Sequence, residues 1–263
     1  LNPIPASDLL KIDDPPAPAK VDGPAAQPQS DPVAGWESFF TGRALVSRGR
    51  YAEAIQQLQR SITLFPEASH AFNAIGLAYW QRGQLDQAIQ PLQQAIALSP
   101  TWTYPRNILA LVLFELRRYA ESQQAFQNAL QVAPDDSSLN HGIAQVDLQF
   151  RRLPDAETRL RPAIEFNPGY AYAYASYGRL ERLRGNVTEA ERLLRLAIRL
   201  EPDEPSFRAS LAELLGQRGQ IPDAQQMFNQ LARANPAHSA VVESYSKFLA
   251  AQNRLADARA VFE

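Results

Sequence analysis

A proline stands at residues 66, 100, 134, 168, 202 and 236, each 34 residues after the one before. This register constrains the fold more than any other feature of the chain. A fixed period of that length means stacked copies of one supersecondary unit, not a single mixed core. Other columns keep the same step when each unit is counted from Gly35. Position 20 is small in all seven copies: Ala54, Ala88, Ser122, Ala156, Ala190, Ala224 and Ala258. Position 24 is large and apolar (Leu58, Leu92, Phe126, Leu160, Leu194, Phe228, Phe262), and position 8 is Gly42, Gly76, Ala110, Ala144, Gly178, Ala212 and Ser246. Small residues where backbones approach, with large ones filling the gaps, indicate two closely packed helices per unit.

Local signals agree. The first helix covers about positions 1–14 and ends at a residue tolerant of a left-handed backbone: Gly49, Gly83, Gly185, Gly219 or Asn253. Arg117 and Arg151 occupy that column in units three and four, where strain or a different termination is expected. The second helix has an acid or its amide in its first turn, from Glu53 to Asp257, facing the positive helix end. The periodic proline then stops it. Pro91 and Pro162 fall inside second helices, where each removes a hydrogen bond at a cost of about 3 kcal/mol. Kinks are expected there, with the carbonyls of Gln87 and Thr158 short of a donor.

On these columns the chain resembles the tetratricopeptide repeat family. Unit two carries the family pattern with Phe72, Ile75, Gly76, Tyr79, Ala88, Leu92, Ala95 and Pro100 at positions 4, 7, 8, 11, 20, 24, 27 and 32. The repeats run 35–68, 69–102, 103–136, 137–170, 171–204 and 205–238, with a partial copy at 239–263. The resemblance implies an all-α, right-handed superhelical solenoid of antiparallel helix pairs. Its first helices would line a concave groove, with positions 2, 5, 9 and 12 facing inward. Carried onto this chain, the groove residues are Phe39, Arg43, Asn73, Leu77, Trp80, Tyr104, Asn107, Leu111, Phe114, His141, Gln145, Tyr172, Arg179 and Arg182. Trp36, at the edge of the array, reads better as a cap. Unit four departs from the pattern, with Asn140 and Asp147 where the family packs large groups.

The stretch 72–81 therefore divides in two. Phe72, Ile75 and Tyr79 are expected in the core, with Asn73, Leu77 and Trp80 toward the groove. The first three units would offer aromatic anchors, and Asn73 and Asn107 could bond an extended peptide backbone. The alternatives are that these aromatics pack on neighbouring helices, or that the N-terminal segment folds over them. Unit five is rich in arginine, either a solvated face paired with its own acids or, at Arg179 and Arg182, a contact for an acidic ligand group. The Lys/Asn/Lys/Arg clamp by which some family members hold a chaperone tail has no counterpart in any register.

Residues 1–34 are different in kind. They hold eight of the twenty prolines, and five Asp against two Lys. Such a stretch has too little apolar surface to offset its ordering entropy and is expected to be a disordered, acidic, proline-rich linker. The net charge of −2 gives no general attraction to nucleic acid. No apolar run reaches the roughly 18 residues of a membrane span. There is no cysteine, which suits an oxidising compartment. The three histidines lie in separate repeats, and no phosphate loop, dinucleotide fingerprint or nucleophile motif occurs. No cofactor, metal or catalytic group is expected.

The function expected from the sequence is a non-enzymatic scaffold that binds a protein or peptide in the groove. Assembly of a bacterial envelope complex is the favoured setting, with a cytoplasmic adaptor as the alternative. A first residue that is not Met and an end inside the seventh second helix suggest a processed or partial chain. They leave open a repeat portion of a larger enzyme, such as a glycosyltransferase, or self-association through an uncapped last repeat.

Overall fold

The computed structural model describes residues 31–236 and 238–261. The linker expectation for residues 1–34 lies outside the described residues except at its last four. The described chain is helical throughout and contains no strand. Its helices come in consecutive pairs: α1 (Pro32–Ser47) with α2 (Tyr51–Leu64), α3 (Ser69–Gln81) with α4 (Leu85–Leu98), and α5 (Thr103–Glu115) with α6 (Tyr119–Leu130). The series continues with α7 (Ser137–Gln149) and α8 (Leu153–Phe166), α9 (Ala171–Arg184) and α10 (Val187–Leu200), and α11 (Pro205–Gln217) and α12 (Ile221–Ala234). The last pair is α13 (Ser239–Ala251) and α14 (Leu255–Ala260). The helices group into two compact units that divide between Pro134 and Asp135.

The tight turn inside each pair is built the same way seven times. The column read as left-handed has φ of 71° at Gly49, 78° at Gly83, 87° at Gly185 and 79° at Gly219. Arg117, Arg151 and Asn253 share it with φ of 60°, 56° and 59°. Added side chains at the four glycines would meet nothing within 4 Å, so backbone conformation, not space, selects glycine there. The two arginines therefore carry strain in place of a different ending, since a left-handed residue with a Cβ costs about 1–2 kcal/mol. The next amide closes each turn on a carbonyl five residues back: Gln84 on Tyr79, Arg118 on Leu113, Arg152 on Asp147, Asn186 on Glu181 and Gln220 on Leu215, at 2.8–3.0 Å. Carbonyls left free by the helix end are satisfied in this way.

Within a pair, the small columns let the helices touch. A Cβ on Gly76 would sit 2.5 Å from Leu92 Cγ, and one on Gly42 would sit 2.6 Å from Leu58 Cγ. Ala54, Ala88, Ser122, Ala156, Ala190 and Ala224 are fully buried, as are Leu58, Leu92, Phe126, Leu160 and Phe228 opposite them. Ser122 keeps its hydroxyl satisfied in this dry contact by donating to the Ala110 carbonyl at 2.7 Å. Helices α4 and α8 run unbroken through Pro91 and Pro162, both of which are half-buried.

Unit four absorbs its polar substitutions. Asn140 and Asp147 are 3% and 2% exposed. Asn140 Nδ2 donates to the Asp136 carbonyl at 3.1 Å, and Asp147 meets the Arg152 guanidinium at 2.7 Å. Burial pushes the Asp147 carboxyl up, against the pull of Arg152. Asp136 also caps α7, accepting from the amides of Ser138 and Leu139 at 2.8 and 3.0 Å.

Candidate functional site

The face formed by positions 2, 5, 9 and 12 differs between the two units. In residues 31–134 it is aromatic and largely closed. Phe39, Asn73, Leu77, Trp80 and Asn107 are all below 9% exposed. Leu77 and Trp80 belong to a core cluster with Ile108, Leu109, Val112 and Leu113 of α5. The division expected for residues 72–81 is thereby corrected. Ile75 is buried, but Phe72 and Tyr79 are only half-buried, whereas Asn73, Leu77 and Trp80 are buried. For Leu77 and Trp80 the physical reason is packing against the first helix of the next repeat, together with Ala88 and Leu92 of their own second helix. An indole that fills the space between two helices is excluded from solvent whichever way the repeat pattern points it. Its truncation would test stability, not binding.

Accessible surface remains at Arg43, Tyr104, Leu111 and Phe114, all half-buried. Arg43 lies over the Phe39 ring with its guanidinium carbon 5.7 Å from the centroid. Tyr104 stacks on Trp102 at 6.2 Å, and Phe114 meets Tyr119 edge-on at 5.1 Å. Trp102 continues to His70 at 4.9 Å, which in turn lies 5.7 Å from Trp36. Trp36 thus joins an aromatic ladder, with the half-buried His70 in the middle. Burial and the nearby Arg43 push the His70 imidazole below its usual range. Its Nε2 is buried without a hydrogen-bond partner.

In residues 135–261 the same columns carry a polar network that the sequence did not reveal. His141 is buried, with Nε2 2.8 Å from Ser176 Oγ and 3.1 Å from Gln145 Nε2. With the Gln145 amide donating, Nε2 accepts, so the ring proton sits on Nδ1, 3.3 Å from the Tyr170 hydroxyl. Burial pushes this imidazole down to about 4, keeping it neutral. Tyr172, also buried, donates to Glu204 Oε2 at 2.8 Å, and its phenol is raised by burial and then by that carboxylate. The only sequence signal for this network was His141 standing in the column of Asn73 and Asn107.

Gln145 and Arg182 are half-buried and Arg179 is exposed. Most of the other unit-five arginines pair with their own acids: Arg184 with Glu181 at 3.0 Å, Arg192 with Glu189 at 2.7 Å and Arg195 with Glu191 at 2.8 Å. Among the described residues no group of three His, Cys, Asp or Glu side chains could hold a metal ion, and no helix is long and apolar enough to cross a membrane.

A chain of helix pairs on a 34-residue step, each closed by a left-handed turn, is a helical repeat protein. Sequence models of the tetratricopeptide repeat match residues 41–101, 113–180 and 181–244, and the chain belongs to that family. Solved structures with the same fold include a tetratricopeptide repeat protein from Parabacteroides merdae ATCC 43184, 18% identical, covering 88% of this chain and 91% of that one, with a TM-score of 0.68. PilF of Pseudomonas aeruginosa is 18% identical over 82% of this chain and 98% of its own, with a TM-score of 0.63. PilW, described as a widely conserved type IV pilus biogenesis factor, is 17% identical over 81% and 98%, with a TM-score of 0.66. At these identities the likeness is one of fold. No curated protein matches the sequence. Repeats of this family bind protein partners.

Proposed function

We propose that the chain is a scaffold whose first helices bind an extended or helical segment of a partner protein, in the assembly of a bacterial envelope complex. The observation that carries this reading is the set of accessible side chains left on the first helices of each unit, taken by itself, after packing. In residues 31–134, Tyr104, Leu111 and Phe114 offer ring and aliphatic surface; in residues 135–261, Gln145, Arg179 and Arg182 offer amide and cationic groups. Accessible aromatics and arginine are the side chains that most often carry binding energy. The buried members of the expected set, Trp80 above all, shape this face from beneath and do not touch the partner. The envelope setting is supported by the absence of cysteine and by the fold shared with a protein described as a pilus biogenesis factor.

The test uses the tagged full chain beside an Arg179→Glu/Arg182→Glu variant and a Phe114→Ala variant. A partner identified by capture is purified, and its affinity is measured against all three. We expect the charge reversal to weaken binding by about 1–3 kcal/mol while circular dichroism stays unchanged. Equal affinity for the three proteins would remove the first-helix face from consideration.

A further inference from the structure

Position 4 of the repeat is handled differently in α11 than in two earlier first helices. In α9 it is Tyr174, whose hydroxyl donates to the Pro168 carbonyl at 3.2 Å. In α5 it is Arg106, whose Nη2 donates to the Pro100 carbonyl at 2.8 Å. Each side chain folds back onto the carbonyl of the periodic proline. In α11 the residue is Arg208, which is exposed. It makes no hydrogen bond or ion pair among the described residues. Beside it opens a cavity of about 310 Å³, lined by Arg195, Ile198 and Arg199 of α10, Arg208 and Leu211 of α11, and Met227 of α12.

The floor of this cavity is apolar. Leu211 is 2% exposed, and Ile198 and Met227 pack against the same core cluster. The rim is cationic. Arg195 is held by Glu191, which also engages Arg218. Arg199 is exposed and, like Arg208, makes no ion pair or hydrogen bond among the described residues. Two uncommitted guanidinium groups over an apolar floor match a carboxylate attached to aliphatic surface. Guanidinium presents forked donors to a carboxylate, and the floor gains by burying a side chain. The volume sits at the lower end of the roughly 300–1,000 Å³ typical of ligand pockets. Positions 4 and 7 of α11 lie on a different face of that helix from positions 5, 9 and 12, so this surface is separate from the first-helix face.

We propose that this cavity docks an acidic peptide segment, with a carboxylate between Arg199 and Arg208 and an adjacent aliphatic side chain over Leu211 and Met227. The occupant is an acidic, leucine-rich stretch of a partner protein. The probe is a fluorescein-labelled, acetylated peptide of alternating Leu and Glu, with a Leu and Gln peptide as control, titrated against the full chain and read by anisotropy. The full chain is expected to bind the acidic probe about tenfold more tightly than the control, and the preference should shrink with added salt.

Arg199→Gln/Arg208→Gln should erase that preference. Arg208→Tyr, which installs the side chain α9 carries at this position, should fill the cavity and do the same without loss of helicity. Arg179→Glu/Arg182→Glu should leave probe binding intact. Equal affinity for the two peptides, or a preference that survives both Arg208 variants, would overturn the site. Loss of the preference in the Arg179→Glu/Arg182→Glu variant would overturn it too, by moving probe binding to the first-helix face.

Discussion

In residues 31–134 the side chains that close the first-helix face are Phe39, Leu77 and Trp80, with the amides of Asn73 and Asn107 between them. In residues 135–261 the same columns hold His141 and Tyr172, bonded to Ser176, Gln145 and Glu204. The turns, the small columns and the proline step are common to both units. What differs is the interior, because every His, Asp or Glu buried among the described residues (His141, Asp147 and Glu181) lies in the second unit. One backbone frame thus tolerates two kinds of interior. An apolar contact is insensitive to pH, whereas a buried polar network must stay in one protonation state to remain satisfied. The two units should therefore respond to different perturbations.

The largest effect is expected in the first unit. Trp80→Ala leaves a cavity against α5 and should cost about 3–5 kcal/mol. Hydrogen exchange should show the loss in α3 and α5, with α9 to α12 less affected. A cost under about 1 kcal/mol would mean that the indole is accessible after all.

The second unit should be separated from the first by acid. The His141 imidazole is pushed down to about 4 by burial, while the unfolded chain takes its proton near the ordinary value of about 6.5. The unfolded state therefore binds more protons between those values, and stability is lost as pH falls from about 6.5 through 4. The loss approaches about 3 kcal/mol, with no further contribution from this residue below that window. His141→Gln should flatten the profile. His70 is lowered in the same direction, so a first unit that loses as much stability over the same window would break the contrast.

The smallest effect should be shared. Arg117→Gly and Arg151→Gly, one in each unit, should each raise stability by about 1 kcal/mol in urea denaturation, by relieving a left-handed backbone. Unequal gains would show that the turns are not interchangeable between units.

The frame was legible in the sequence for a physical reason. Each turn and each small column is a local requirement repeated many times, so Gly83 and Gly185 put Arg117 and Arg151 in the turn column, with strain or a different ending as the two outcomes expected there and the left-handed one found. The covering of Trp80 was not legible in that way. A period specifies which residues share a helix face, but whether that face is open depends on how closely the next first helix lies, which the side chains of both repeats decide together. The His141 network escaped for a related reason. Its partners Tyr170 and Ser176 lie 29 and 35 residues away, in the following repeat, and no spacing rule pairs a histidine with a serine at that distance. The arginine cavity was hidden because residue type does not decide whether position 4 bonds the proline carbonyl: Arg106 does and Arg208 does not.

The closing amide of each turn reaches back only five residues, and within each unit the helices pack chiefly on those nearby in the chain. This has a consequence for synthesis. A helix pair needs nothing from the distant part of the chain in order to dock. At translation rates of about 5–20 residues per second, a new pair would leave the ribosome every two to seven seconds or so and could settle on its predecessor before the next appears. Within each unit, nascent chains of this protein should therefore gain protease resistance in steps of one repeat and not await a single final collapse.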